Sequence, residues 1–287
     1  MKTNLVMLII VLSFALMSCS KEQKQVSPES SVSTEPVASN EVASQVPPIP
    51  IEQDPLCSFK IGYDVWEPYQ YLDVNSEVRG LDIELVTAVT EDMGCSTEFI
   101  QGTWVNLLEK FRDGQVDILL GASKTEAREE FALFSVPYRT EEFELYIRKD
   151  DSKRAAYTTI EDFIKQGSKI GVVGDYFYGD SISALLDDEE TAQSFVIGIM
   201  GELNVARLID LDIDGFLEDS FVGASMIRRK ALDEYIVAHG FKVNTGDIYV
   251  MFSRTSIDEQ QVATFNDAME DFKSSATYNE IVKKYGG

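Results

Sequence analysis

The chain reads as an α/β protein of two lobes, each a mostly parallel sheet flanked by helices. Three observations carry that reading. Residues 59–120 alternate short apolar runs with amphipathic stretches in a β-α-β-α-β order, which implies right-handed crossovers and a parallel sheet. A second α/β unit occupies residues 145–217. Setting aside an irregular N-terminal segment leaves roughly 230 residues, enough for two lobes with cores of their own.

The elements follow in order. Residues 59–63 form the first strand. Residues 81–93 form a helix with Leu81, Leu85, Ala88, Val89 and Met93 on one face, stopped by Gly94. A strand at 97–100 precedes a helix at 104–112, with Leu107, Leu108 and Phe111 inward; Trp104 reads as a core aromatic. Residues 116–120 are a short apolar run suited to a buried parallel strand. Residues 145–148 leave the first lobe. Strands follow at 169–173, 195–199 and 213–217, with a helix around Leu203 to Leu208 between the last two. Residues 248–252 return to the first lobe. Ser256-Ile257-Asp258-Glu259 is a capping-box pattern opening a helix with Val262, Phe265, Met269 and Phe272 inward, and a last helix covers 276–285.

Residues 114–138 carry the sharpest chemical signal. The strand ends in Gly121, Ala122 and Ser123, whose small side chains let backbone amides approach a ligand. Thr125 is placed to cap the next helix, whose first turn carries Arg128. An arginine fork beside exposed amides and a hydroxyl, at the carboxyl end of a strand, is a carboxylate-binding arrangement. The competing reading pairs Arg128 with Glu129 or Glu130 at the surface. The loop from Tyr63 to Tyr71 converges on the same sheet end, and Asp219 closes another strand there.

Lys2 precedes an apolar run from Leu5 to Met17, too short for the roughly 20 residues of a spanning helix and suited to a signal peptide. It ends Leu16-Met17-Ser18-Cys19, which resembles the lipobox of bacterial lipoproteins, with Cys19 the lipidated residue. The alternative is an ordinary signal peptide cut near Ser18 or Ser20. Residues 20–54 are Ser, Glu, Val, Gln and Pro without an aromatic, the composition of a disordered tether. With Cys19 lipidated, Cys57 and Cys95 remain as a pair in an exported protein. Each stands just before one of two neighbouring strands, so a disulfide is expected; two free buried thiols are the alternative.

Charge and composition exclude several functions. With 49 acids against 25 bases the formal charge is −24, and nucleic acid is excluded for want of a basic face. One histidine, His239, makes a His-rich metal centre or a His-dependent triad improbable. No Gly-rich phosphate loop is present. No cofactor and no catalytic residue is expected.

From about Phe59 to Tyr285 the chain resembles the bacterial extracellular solute-binding proteins, family 3, the polar amino-acid receptors of ABC importers. The carrying residues are Gly62-Tyr63-Asp64, Trp66-Glu67-Pro68-Tyr69, Gly80-Leu81-Asp82-Ile83-Glu84, Trp104, Gly114 with Asp117, Thr125-Glu126-Ala127-Arg128, Phe134-Ser135-Val136-Pro137-Tyr138, and Asp214 with Asp219. The resemblance implies the two-lobe periplasmic-binding-protein fold (type II), with two crossover strands as hinge. It divides the chain into a signal peptide (1–18), a tether (19–55), lobe 1 (56–147 plus 248–287) and lobe 2 (148–247). It implies a monomeric periplasmic lipoprotein that captures a small polar solute, such as an amino acid, and delivers it to an ABC permease.

The resemblance also assigns roles. Arg128 clamps an α-carboxylate, aided by Ser123. The Gly121 carbonyl and Asp219 take the α-ammonium. Tyr63, Trp66 and Tyr69 line the side-chain pocket, with Asp64 near its polar end. Two departures stand out: Glu67 replaces a small residue or proline, and Gly174-Asp175-Tyr176 replaces a Gly-Thr pair that helps hold the carboxylate. Either Asp175 points away from the site, or the ligand is not an ordinary amino acid. Asp64, Glu67 and Asp175 together point to a cationic ligand. Two other readings remain: a ligand-sensing or accessory lipoprotein, and an enzyme related to cyclohexadienyl dehydratases, which would need a tuned acid or base in the cleft.

Overall fold

The alternation of apolar strands and amphipathic helices becomes one continuous twisted sheet covered on both faces. The computed structural model describes residues 55–285. The expected signal peptide, the Cys19 lipidation site and the tether up to residue 54 lie outside the described residues.

The first part of the chain forms β1 (Cys57–Tyr63), β2 (Tyr71–Leu72), β3 (Val78–Arg79), α1 (Leu81–Asp92), β4 (Cys95–Gln101), α2 (Trp104–Arg112), β5 (Ile118–Ser123), α3 (Glu126–Glu129) and β6 (Ala132–Phe134). The long strand β7 (Arg139–Arg148) leads out of it. Then come α4 (Ile160–Lys165), β8 (Ile170–Val173), α5 (Asp180–Asp187), α6 (Glu189–Ala192), β9 (Phe195–Gly198), α7 (Gly201–Ile209), β10 (Gly215–Asp219) and α8 (Ser220–Arg229). The 18-residue strand β11 (Ile236–Ser253) returns, and α9 (Glu259–Lys273) and α10 (Ala276–Lys284) close the chain.

The nine-stranded sheet has the order β4-β1-β5-β11-β7-β10-β8-β9, with β6 pairing the end of β11 on the edge opposite β5. Its two ends are parallel: β1 pairs β4 and β5, and β8 pairs β9 and β10. Its middle is antiparallel, because β7 and β11 run against each other and against β10 and β5. These are the two crossover strands, and both are longer than the apolar cores at 145–148 and 248–252 that the sequence marks. Their polar halves alternate with no apolar signal, yet are held by the ladder. The β7–β11 register shifts between Ala238 and Lys242 and again between Asn244 and Gly246, bulges that bend the ribbon.

Side-chain alternation sends neighbouring residues of one strand to opposite cores. Ile118 and Leu120 of β5 join Phe59, Ile61, Val86, Val250 and Phe265 on one face, whereas Leu119 joins Leu107, Leu108 and Phe111 on the other. In the second half, Leu145 and Leu217 pack with Phe163 and Ile182, while Tyr146 and Phe216 pack with Val205 and Val222. Each fully buried Leu, Ile or Phe contributes about 1.5–3 kcal/mol. Trp66 and Tyr69, from the loop after β1, belong to this last cluster, so a first-half loop is anchored in the second half.

Local details differ from the sequence reading in instructive ways. Cys57 and Cys95 face each other in register across β1 and β4, Cα atoms 4.5 Å apart, and are joined as a disulfide. The strand expected at 116–120 starts two residues later and runs through Ser123. The capping box of α9 is formed by Asp258 and Gln261 rather than by Ser256 and Glu259. The apolar stripe of α1 is Ile83, Leu85, Val86 and Val89, with Asp82 fully buried beside it.

Candidate functional site

Two sheet ends and the loop after β1 enclose a tight cavity of about 30 Å³. Its walls include Asp64, Trp66, Trp104, Gly121, Ser123, Arg128, Glu141, Phe143 and Tyr176.

The wall made by β5 and α3 is built locally. Thr125 caps α3, its hydroxyl accepting from the Arg128 amide at 3.3 Å, which fixes Arg128 in the first turn. The Arg128 guanidinium donates to the Ser123 carbonyl at 2.8 Å and to the Asp175 carbonyl at 2.8 Å, and lies 5.3 Å from the Trp104 ring centroid. It pairs with neither Glu129 nor Glu130; Glu129 is held by Lys124 at 2.9 Å. Burial lowers the Arg128 pKa to about 10. Gly121 has φ +74, and a Cβ there would press on Arg139, Trp66 and Asp82 at 3.2–3.3 Å, so glycine is required by conformation and by space.

The opposite wall comes from far along the chain. Tyr176 stands among Trp66, Trp104 and Phe143, with ring centroids 6.1, 6.2 and 6.5 Å away. The Trp104 indole donates to the Asp175 carbonyl at 3.1 Å, and the Trp66 indole to Glu218 Oε1 at 3.0 Å. These bonds join the two halves of the sheet across the cavity. Asp175 has φ +61, a left-handed turn that aims its carbonyl at Arg128 and Trp104 while its side chain stays exposed. The Asp175 carboxylate makes no hydrogen bond to Arg128 and acts on it through charge alone, favouring its protonated form.

Several expected site residues lie elsewhere. Tyr63 packs in the first-half core, 6.3 Å edge-on to Phe99, and does not line the cavity. Tyr69 is buried behind Trp66, with the Arg139 guanidinium 3.9 Å over its ring. Asp219 is the N-cap of α8: one oxygen accepts from the Phe221 and Val222 amides at 2.9 and 3.0 Å, the other from Tyr69 at 3.5 Å. It is not among the lining residues. Glu67 pairs with Arg229 at 3.1 Å, also away from the cavity. Asp64 does line it, but both its oxygens accept backbone amides, Val65 at 2.7 Å and Trp104 at 3.0 Å.

Sequence reasoning passed over Glu141, Phe143 and the cavity face of Trp104. Trp104 is buried as expected, yet its indole faces the site. Glu141 and Phe143 lie two apart on β7, and the alternation Glu141-Glu142-Phe143 was the one available signal that they share a strand face. Burial raises the carboxylates here: Asp64 and Asp219 to about 6, Glu141 to about 7 and Glu218 to about 8. Among the described residues around the cavity, the acids Asp64, Asp82, Glu141, Glu218 and Asp219 outnumber the bases Arg128 and Arg139.

The comparisons with known proteins decide the family. Residues 59–287 match the profile of the bacterial extracellular solute-binding proteins, family 3. The chain belongs to that family. It is 27% identical over 224 residues to a protein of Neisseria gonorrhoeae provisionally named for histidine binding, covering 76% of this chain and 78% of that protein. It is 22% identical over 236 residues, 77% of this chain and 86% of the relative, to a protein of Escherichia coli (strain K12) provisionally named for arginine binding in an ABC transporter. An ancestral arginine-binding protein solved with arginine shares the fold, with a TM-score of 0.70 and 18% identity, over 80% of this chain and 98% of that one. This member of the family is a solute-binding protein, with its cavity at the carboxyl ends of parallel strands.

Proposed function

We propose that the protein captures a cationic amino acid in this cavity and hands it to an ABC permease, while lipid on Cys19 holds it at the membrane as a monomer. The observation that carries this reading is Arg128. Its two bonds to carbonyls use two of the five N–H donors of an arginine, and the guanidinium faces the cavity beside Gly121 and Ser123. Its remaining donors suit a ligand carboxylate that enters when the lobes part. The aromatic walls and the acid excess suit a cation at the other end. The names of the histidine- and arginine-binding relatives support the same class of ligand. Charge-assisted hydrogen bonds of about 1.5–3 kcal/mol each reach together the roughly −8 kcal/mol of a micromolar binder.

Capture involves lobe 1 (56–147 plus 248–287) and lobe 2 (148–247) swinging about β7 and β11. Among the described residues no helix is long and apolar enough to cross a membrane; the membrane contact in this reading is the N-terminal lipid. A thermal-shift screen of the protein against the twenty amino acids tests the reading. A ligand at 100 times its dissociation constant stabilises by about 2.7 kcal/mol. That shift is expected for basic amino acids and is expected to vanish in Arg128→Ala. No shift with any amino acid would overturn the proposal.

A further inference from the structure

The acids around the cavity divide by what they already hold. Asp64 accepts two backbone amides, and Asp219 accepts two amides and the Tyr69 hydroxyl. Glu218 accepts the Trp66 indole and the Asp219 amide on one oxygen and does not line the cavity. Asp82 is taken by Arg139 through bonds of 2.9 and 3.3 Å. Glu141 is different. It is 5% exposed and lines the cavity. Its Oε2 accepts from the Thr245 hydroxyl at 3.0 Å, while Oε1 has the Arg139 guanidinium at 3.9 Å, beyond hydrogen-bond reach. Arg139 is committed to Asp82 and stacked on Tyr69, so it does not come closer.

A buried carboxylate with one unengaged oxygen calls for a cation. Phe143, two residues along β7, and Tyr176 supply apolar ring surface beside it, the setting in which a flat or compact cation is held by both charge and ring.

We propose that Glu141 is the specificity-determining residue of the site, binding the guanidinium, ammonium or imidazolium group of the ligand side chain while Arg128 holds the carboxylate. This rests on the capture of an amino acid in this cavity. It places ligand selectivity on a crossover strand rather than on Asp64, Glu67 and Asp175, the three acids that the sequence reading joined to a cationic ligand.

Calorimetric titration of the full chain near pH 8 with L-arginine, L-lysine and L-glutamine tests the assignment. Glu141→Gln is expected to weaken the basic amino acids by about 10–100-fold, the factor carried by one charge-assisted hydrogen bond. L-glutamine should change by less than about twofold, and Glu141→Asp should restore part of the loss. If Glu141→Gln binds L-arginine unchanged while Arg128→Ala does not bind it, the assignment falls and amino-acid capture stands. An equal loss for all three ligands would mean a structural role and would also overturn it. If the unaltered protein binds no amino acid, both fall. Should Glu141→Gln not fold, as judged by its ligand-free melt, Thr245→Val removes the hydroxyl that holds the carboxylate. That variant is expected to weaken L-arginine several-fold and leave L-glutamine alone; no change would count against the proposal.

Discussion

The two walls of the cavity are built by opposite strategies. The wall that carries Arg128 is local: Ser123, Thr125 and Arg128 lie within six residues and position one another through a strand end and one helical turn. The facing wall is assembled from afar. Trp66 reaches Glu218 across 152 positions, and Trp104 reaches Asp175 across 71. The local wall can keep its shape through any swing of the halves, because its bonds need nothing from the other side beyond the Asp175 carbonyl. The distant wall exists only when the halves are together. In the proposed capture the carboxylate grip is fixed and the grip on the rest of the ligand is conditional.

The largest test of that contrast is Trp66→Phe. It keeps ring surface but removes the indole donor to Glu218, leaving that buried acid with the Asp219 amide alone. A loss of about 1–3 kcal/mol is expected, read as a lower urea midpoint and weaker ligand binding. Thr125→Ala, which removes the local cap, should cost about 1 kcal/mol and report the strength of the other wall. If Trp66→Phe were neutral, the distant wall would not depend on that bond.

A pH series sharpens the comparison next. Burial raises Glu141 to about 7 and Glu218 to about 8, and Asp64 and Asp219 to about 6. A carboxyl raised in the folded state binds more protons there than in the unfolded chain. Its contribution to stability is therefore full below its unfolded pKa and is lost as pH rises through the folded value. The ligand-free protein should melt at lower temperature as pH goes from about 5 to 8. Affinity for a basic amino acid should rise by roughly tenfold from about pH 6 to 8 as Glu141 ionises. The groups facing Glu141 include Arg139, which favours its charge, and Asp82 and Asp219, which oppose it; Glu141→Gln should flatten the affinity profile. An affinity independent of pH from 6 to 8 would contradict an ionised Glu141 in the complex.

The smallest effect is expected at Asp175. Its carbonyl serves Arg128 and Trp104, and its exposed carboxylate reaches Arg128 through charge alone. Asp175→Gly keeps the carbonyl and suits the left-handed φ of +61. Titration should show affinity within about twofold of the unaltered protein. A large change would show that the carboxylate reaches the ligand.

The legibility of the site follows the same divide. Arg128, Ser123, Gly121 and the Thr125 cap were readable because the chemistry and the spacing sit in one short stretch. So was the disulfide, since β1 and β4 are neighbours and each cysteine opens its strand. Asp219 was visible as an acid at a strand end, but whether it meets a ligand or its own helix depends on where α8 begins, and two amides take it. Tyr63 was assigned to the pocket by its place in a motif, although alternation along β1 sends it to the core with Phe59 and Ile61. Glu141 was missed because the polar half of β7 has no apolar pattern of its own. Only its pairing with β11 makes it a strand, and that partner lies about a hundred residues on.

That pairing has one more consequence. Glu141 lies opposite Gly246, at the second register shift of the β7–β11 ribbon, and its carboxylate holds the Thr245 hydroxyl. Of the two acids that line the cavity, Asp64 and Glu141, the second is thus mounted on the proposed pivot. Exchanging one ligand for another of different charge would apply its torque at the axle and not at the rim, so the taste of the receptor and the ease with which it opens would be inherited as a single trait.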